Sequence, residues 1–178
     1  PQQTLLETIH APKLEPEDID RIFNTMSTIA QTLAQIHPTV IHRDIKPENI
    51  LVGDHPMLID FGFAVDNAPE IKTPFGTMPL LDHHKYQCGT PHYSPPEQTF
   101  PTSAHDAFSF GATLYEAVTG RLLFPTCLSF QTHKFTPAIN VDTPLYDTIC
   151  SLVRIDPQKR QTNLETVAKQ IAEYTKYL

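Results

Sequence analysis

Between Glu17 and Ile36 the apolar residues Ile19, Ile22, Phe23, Met26, Ile29, Ala30 and Leu33 recur at steps of three and four. That spacing lines one face of an α-helix and fits no strand, whose side chains alternate at period two. The local chemistry agrees with a helix. Pro16 suits its first turn, Glu17 and Asp18 place negative charge where the helix dipole favours it, and Pro38 stops it just after His37.

Beyond Pro38 come short strand-like pieces: Val40-Ile41, Ile50-Leu51-Val52 and Met57-Leu58-Ile59. The turn-rich run Gly53-Asp54-His55-Pro56 separates the last two, which predicts a small hairpin. From Ala64 to Phe100 the chain is rich in Pro, Thr, His and Gly without a period, and reads as an extended loop of the functional kind. Helical signals return at Ala104 to Thr119, ended by Gly120, at Pro144 to Val153, and at Leu164 to Tyr177, capped by Asn163. A fragmentary helix is expected around Leu128 to His133.

Size allows one domain with a real core, since 178 residues are too few for two lobes and their connections. The chain is 40% apolar and 19% charged, a soluble globular balance, and it has no apolar run near the roughly 20 residues that span a bilayer. A formal net charge of -7 argues against a general binder of nucleic acid or anionic membrane. Cys88, Cys127 and Cys150 are odd in number and widely spaced, so a reducing, cytoplasmic setting is expected. Because residue 1 is Pro and not Met, an excised domain or processed fragment is expected.

Between the first and second strand pieces stands His42-Arg43-Asp44-Ile45-Lys46-Pro47-Glu48-Asn49, and Asp60-Phe61-Gly62 begins eleven residues after Asn49. The first string resembles the catalytic loop of protein kinases and the second their metal-binding motif. Transfer of a γ-phosphoryl group needs an acceptor hydroxyl in line, carboxylates for Mg²⁺ and a cation near the moving phosphate. The resemblance implies that Asp44 orients the substrate hydroxyl and accepts its proton, and that Lys46 stabilises the γ-phosphate of ATP. It gives the Mg²⁺ ions to Asn49 and Asp60, and sets Lys46, Glu48, Leu51 and Asp60 around the nucleotide, with Leu51 beneath the adenine.

Further on, Gly89-Thr90-Pro91-His92-Tyr93-Ser94-Pro95-Pro96-Glu97 resembles the kinase substrate-docking loop, with Pro95 where the family usually has Ala. The resemblance pairs Glu97 with a buried Arg160, and makes Asp106, in His105-Asp106-Ala107-Phe108-Ser109-Phe110-Gly111, the carboxylate that caps the catalytic-loop amides. His42 and Phe61 complete its structural set. The implied fold is mainly α: a kinase-like C-terminal lobe over residues 1–178, a helical bundle whose small β-hairpin carries the catalytic loop. Lys46 and Thr90 are the serine/threonine-kinase choices, and Thr90 is expected to bridge Asp44 and Lys46. Ser-Pro-Pro-Glu-Gln and Gly-Ala-Thr-Leu-Tyr-Glu look somewhat more like bacterial kinases than animal ones.

Arg43 before Asp44 is the feature of kinases switched by phosphorylation of the activation loop, for which Thr73 and Thr77 are the candidate acceptors. Nothing before residue 42 resembles a Gly-rich loop or a Val-Ala-Ile-Lys strand. The N-terminal lobe is therefore an expected partner, together with a protein carrying a Ser or Thr acceptor, and Thr4 to Ile9 is expected to form the first helical turns. Alone, residues 1–178 are expected to bind ATP weakly and transfer phosphate negligibly. Two other readings stay open: a non-catalytic kinase-like lobe serving as a protein-binding module, and a zinc site at His83, His84, Cys88 and His92.

Overall fold

A computed structural model describes residues 2–67, 70–73, 76–79, 89–97, 102–125 and 144–174, with the backbone alone for 70–73 and 76–79. The long periodic run forms a helix over Pro16–Ile36 (α2), with Glu15 and Asp18 closing a reciprocal cap at its start. A shorter helix, Leu5–Ile9 (α1), precedes it, and there Thr4 and Glu7 make the capping box. Ser103–Thr119 (α3), Pro144–Leu152 (α4) and Leu164–Tyr174 (α5) complete the described helices. The expected fragment around 128–133 lies outside the described residues, as do 175–178.

Central to the packing is α3, whose residues from Ala104 to Ala117 are buried all round. A helix without a polar face survives only inside a core. Its Phe108, Phe110 and Leu114 are wholly buried, and the helix packs against α1, α2 and α4. Gly111 sets how closely α4 approaches, because a Cβ there would lie 2.7 Å from Leu152 Cβ and 2.8 Å from Val153 Cγ1. On the far side α2 packs along α5, where Ser27 donates its hydroxyl to the Ala168 carbonyl at 3.0 Å.

The strands are few and short, as a mainly α lobe requires. Ile50–Val52 (β3) and Met57–Leu58 (β4) form the expected hairpin, and Gln3–Thr4 (β1) adds a third antiparallel strand on the other edge of β3. Val40–Ile41 (β2) pairs with Val65–Asp66 (β5), Val40 facing Asp66 and Ile41 facing Val65.

One expectation is corrected. The stretch from Ala64 to Phe100 is not all irregular: besides β5 it contains Glu70–Thr73 (β6) and Gly76–Pro79 (β7), an antiparallel hairpin with Ile71 facing Met78 and Thr73 facing Gly76. Ile71, Thr73 and Thr77 are β-branched and suit strands. Runs of four residues are too short for their period to stand out among the surrounding prolines.

Candidate active site

The site begins with a buried carboxylate. Asp106 sits in the first turn of α3, fully shielded from solvent, after Thr102 caps the helix by accepting from the Ala104 amide. Its Oδ1 accepts the Arg43 amide at 2.8 Å, and its Oδ2 accepts the His42 amide at 2.8 Å and His37 Nε2 at 3.1 Å. Ringed by donors, a carboxylate can stay ionised in a core, and it fixes whatever backbone supplies them. That backbone is the loop after β2. Arg43, itself buried, is held there at φ 74, a left-handed conformation that costs a residue other than glycine on the order of 1 kcal/mol.

His42 cross-links the site. Its ring Nε2 donates to the Ile59 carbonyl at 3.1 Å and its Nδ1 accepts the Asp44 amide at 3.3 Å, which requires a neutral ring. Burial pushes its pKa below the usual histidine value, outweighing the opposing pull of Asp106, Asp44 and Asp60.

Asp44 is only 3% exposed, and its two oxygens are divided among neighbours. Thr90 gives Oδ1 both its amide, at 3.1 Å, and its hydroxyl, at 2.9 Å. Lys46 Nζ lies 2.9 Å from Oδ2, and Asn49 Nδ2 donates to Oδ2 at 3.0 Å and to the Asp44 carbonyl at 2.8 Å. Lys46 Nζ also donates to Thr90 Oγ1 at 2.9 Å, so the threonine hydroxyl stands between carboxylate and lysine. Burial alone would raise the Asp44 pKa. The bonds from Lys46, Thr90 and Asn49 and the Lys46 charge reverse this and hold it below the ordinary carboxylate value. The group is an ionised carboxylate at neutral pH.

Asp60 is differently placed. It is exposed, held at φ 62, and its Oδ1 accepts the Gly62 amide at 3.2 Å. Among the described residues no donor reaches its other oxygen. Asn49 commits its amide nitrogen to Asp44, which leaves its side-chain carbonyl oxygen as the atom that could meet a cation. A carboxylate and an amide oxygen are the hard, compact donors Mg²⁺ prefers, so this pair fits the ion. Glu48 projects exposed from a 3-10 turn over Pro47–Asn49, and Leu51 is half-buried on β3 opposite Thr4 and Met57. Phe61 remains 48% exposed, with its ring edge-on to His42 at 4.6 Å.

The segment over Gly89 to Glu97 is pinned at several points. Its start touches the catalytic loop so closely that a Cβ on Gly89, at φ 111, would sit 2.8 Å from the Arg43 carbonyl. Its middle is held by the Tyr93 hydroxyl on Glu116, which also faces His10, and by His92 Nδ1 donating to the Phe124 carbonyl at 2.7 Å. Burial and the Glu116 carboxylate push the Tyr93 pKa well up, so its proton stays. At the end Glu97 meets Arg160 in a two-pronged ion pair. Arg160 is buried over the Phe108 ring and also donates to the carbonyls of Ala104, Arg154 and Ile155.

The same constellation has relatives: residues 2–174 match the protein kinase domain family. The chain belongs to the protein kinase family. It is 33% identical over 144 residues to an Aurora kinase of Saccharomyces cerevisiae, covering 74% of this chain and 36% of that protein. Similarity of the same order reaches an Aurora kinase B of Danio rerio, 32% over 155 residues, covering 80% of this chain and 45% of that one. The serine/threonine-protein kinase pkn3 of Myxococcus xanthus is 32% identical over 133 residues, covering 68% of this chain and 23% of that protein. The chain thus spans less than half the length of each of these kinases.

Some residues that hold these loops in place carried no sequence signal of their own. His37, Glu116, Tyr93 and Asn67 make contacts that only the folded arrangement reveals, although Tyr93 lay inside the docking motif. Thr73 and Thr77 fall on β6 and β7, where Thr77 faces Lys72 and Thr73 faces Gly76. Their side chains lie outside the described residues. So do His83, His84 and Cys88 of the zinc reading. Among the described residues no group of three or more His, Cys, Asp or Glu side chains could hold a metal.

Proposed function

We propose that this chain is the C-terminal lobe of a serine/threonine protein kinase, which moves the γ-phosphoryl group of ATP to a Ser or Thr hydroxyl of a protein when joined to its N-terminal lobe. The observation that carries this reading is the Thr90 hydroxyl, bonded at 2.9 Å both to Asp44 and to Lys46.

In this reading the substrate hydroxyl approaches Asp44 and gives up its proton to that carboxylate as its oxygen attacks the γ-phosphorus. The bond to the bridging oxygen breaks and ADP leaves. Lys46, tethered between Asp44 and Thr90, offers its charge to the phosphoryl oxygens without swinging into bulk water. Asn49 and Asp60 would hold Mg²⁺, whose charge offsets that of the phosphates when bound. Glu48 and Leu51 would meet the nucleotide. Arg43, buried against the docking loop, would receive a phosphate placed on Thr73 or Thr77. The widely spaced cysteines support a cytoplasmic setting.

The test uses the full-length protein with Mg²⁺ and ATP, scoring transfer to Ser, Thr and Tyr peptides by mass spectrometry. Asp44→Asn is expected to lower kcat by about 10³ on Ser and Thr peptides. Transfer confined to Tyr peptides, or an Asp44→Asn protein as active as the parent, sinks the proposal.

A further inference from the structure

Asn67 lies seven residues beyond Asp60, just past β5, and its contacts run backwards to the end of α2. Its side-chain Nδ2 donates to the His37 carbonyl at 2.6 Å, and its amide donates to the Thr39 carbonyl at 2.8 Å. His37 is the residue on which α2 ends, so its carbonyl has no partner within the helix. The same residue turns its ring inwards to Asp106, the carboxylate that holds the amides of His42 and Arg43.

We infer that Asn67 is a positioning residue for phosphoryl transfer: by holding His37 it ties the strand after Asp60 to the Asp106 anchor of the catalytic loop. The metal-binding and base-bearing halves of the site are joined on both sides of Asp60. On the near side the His42 ring donates to the Ile59 carbonyl, and the Ile59 amide donates to the Asn49 carbonyl at 2.9 Å. On the far side the β2–β5 pairing and the Asn67 amide hold the strand to the chain after α2, and the Asn67 side chain alone extends that tie to His37. A segment held at one end can pivot, whereas one held at both ends keeps Asp60 in register with Asp44. Catalytic groups need placement within about half an ångström, so the second tie has a kinetic value beyond its modest stability. A plain helix-end cap would lack this property, since it would act on α2 alone.

This inference rests on the kinase reading, and its test has an arm that does not. Asn67→Ala and the isosteric Asn67→Asp are made in the full-length protein. Either is expected to lower kcat about tenfold with KM for ATP unchanged. The amides of His42 and Arg43 should exchange hydrogen about tenfold faster, while those of Phe108 and Leu114 keep their protection. Combining Asn67→Ala with His37→Gln should cost no more than the worse single change, because both act through one path. Unchanged amide exchange at His42 and Arg43 overturns the inference, as do multiplying effects in the double variant. Faster exchange spread through α3, or failure of both variants to fold, also overturns it, since either outcome marks Asn67 as a general structural residue. If the parent protein proves inactive, the kinase reading falls and the exchange arm still decides the role of Asn67.

Discussion

Two aspartates of one site live in opposite conditions. Asp44 is 3% exposed and receives hydrogen bonds from Thr90, Lys46 and Asn49, on a loop bolted to the core through Asp106. Asp60 is exposed, strained at φ 62, and takes a bond from Gly62. Around Asp44 are groups whose charge and hydrogen bonds are already matched; around Asp60 stand exposed Phe61 and Phe63. The difference teaches that the Asp44 half is set by the helical core, and that the Asp60 half carries strain and open apolar surface instead. Such features are typical where binding completes a site.

The largest effect should come from the anchor of the buried half. Asp106→Ala leaves the His42 and Arg43 amides and the His37 ring without their acceptor, and is expected to cost about 3–5 kcal/mol in urea unfolding. A loss below about 1 kcal/mol would break the comparison, by showing that the catalytic loop does not depend on the core.

Acid should act on the same half. Burial lowers the pKa values of His42 and His105 in the folded state below their unfolded value, so above about pH 6.5 both are neutral in either state. As pH falls below that, the unfolded chain binds protons that the folded one refuses, and stability declines. His105 is pulled by Asp106 and Glu97 and opposed by Arg43 and Arg160. Among the described residues no hydrogen-bond partner reaches its buried Nε2. The melting temperature is expected to fall between pH 7.5 and 5.5, and His105→Leu should flatten that slope. Asp44, with its pKa lowered, adds a loss in the same direction, confined to more acidic solution near and below its ordinary value. Melting curves that superimpose across this range would contradict the buried, neutral assignment.

For the exposed half the sign should reverse. Asp60→Gly relieves a left-handed residue and is expected to stabilise the metal-free protein by about 0.5–1 kcal/mol while abolishing phosphoryl transfer. Destabilisation would show that Asp60 is part of the structural frame after all. Smallest of all, Phe63→Ser, at a residue 45% exposed, should change stability by no more than about 0.5 kcal/mol. Calorimetry showing a loss above about 1 kcal/mol would place Phe63 in the core network.

Much of the helical frame was readable because long periodic segments repeat their signal. The Pro16–Ile36 helix, the short helix ending at Ile9, the Asn163 cap and the end of α3 at Gly120 all lie within a residue or two of their expected positions. Of the short elements, β2, β3 and β4 were legible as apolar pairs and triplets set off by turn residues, whereas β1, β6 and β7 are mostly polar or lie among prolines and do not rise above their surroundings. In the site, the residue string marked Asp44, Lys46, Asn49, Asp60 and Thr90, but not who holds them. Nothing around His37 or Asn67 marks them in sequence, since each acts through a partner tens of residues away.

Taken alone, the chain's sequence determined its helices, its family likeness and the chemical types in the site, because these depend on neighbours along the chain. Only the tertiary structure decided which carboxylate is buried and matched, which is strained and open, and that His37, His42 and Arg43 share one buried acceptor in Asp106. Those outcomes turn on desolvation and on donors brought together from residues 63 to 69 positions apart, and no local pattern encodes either.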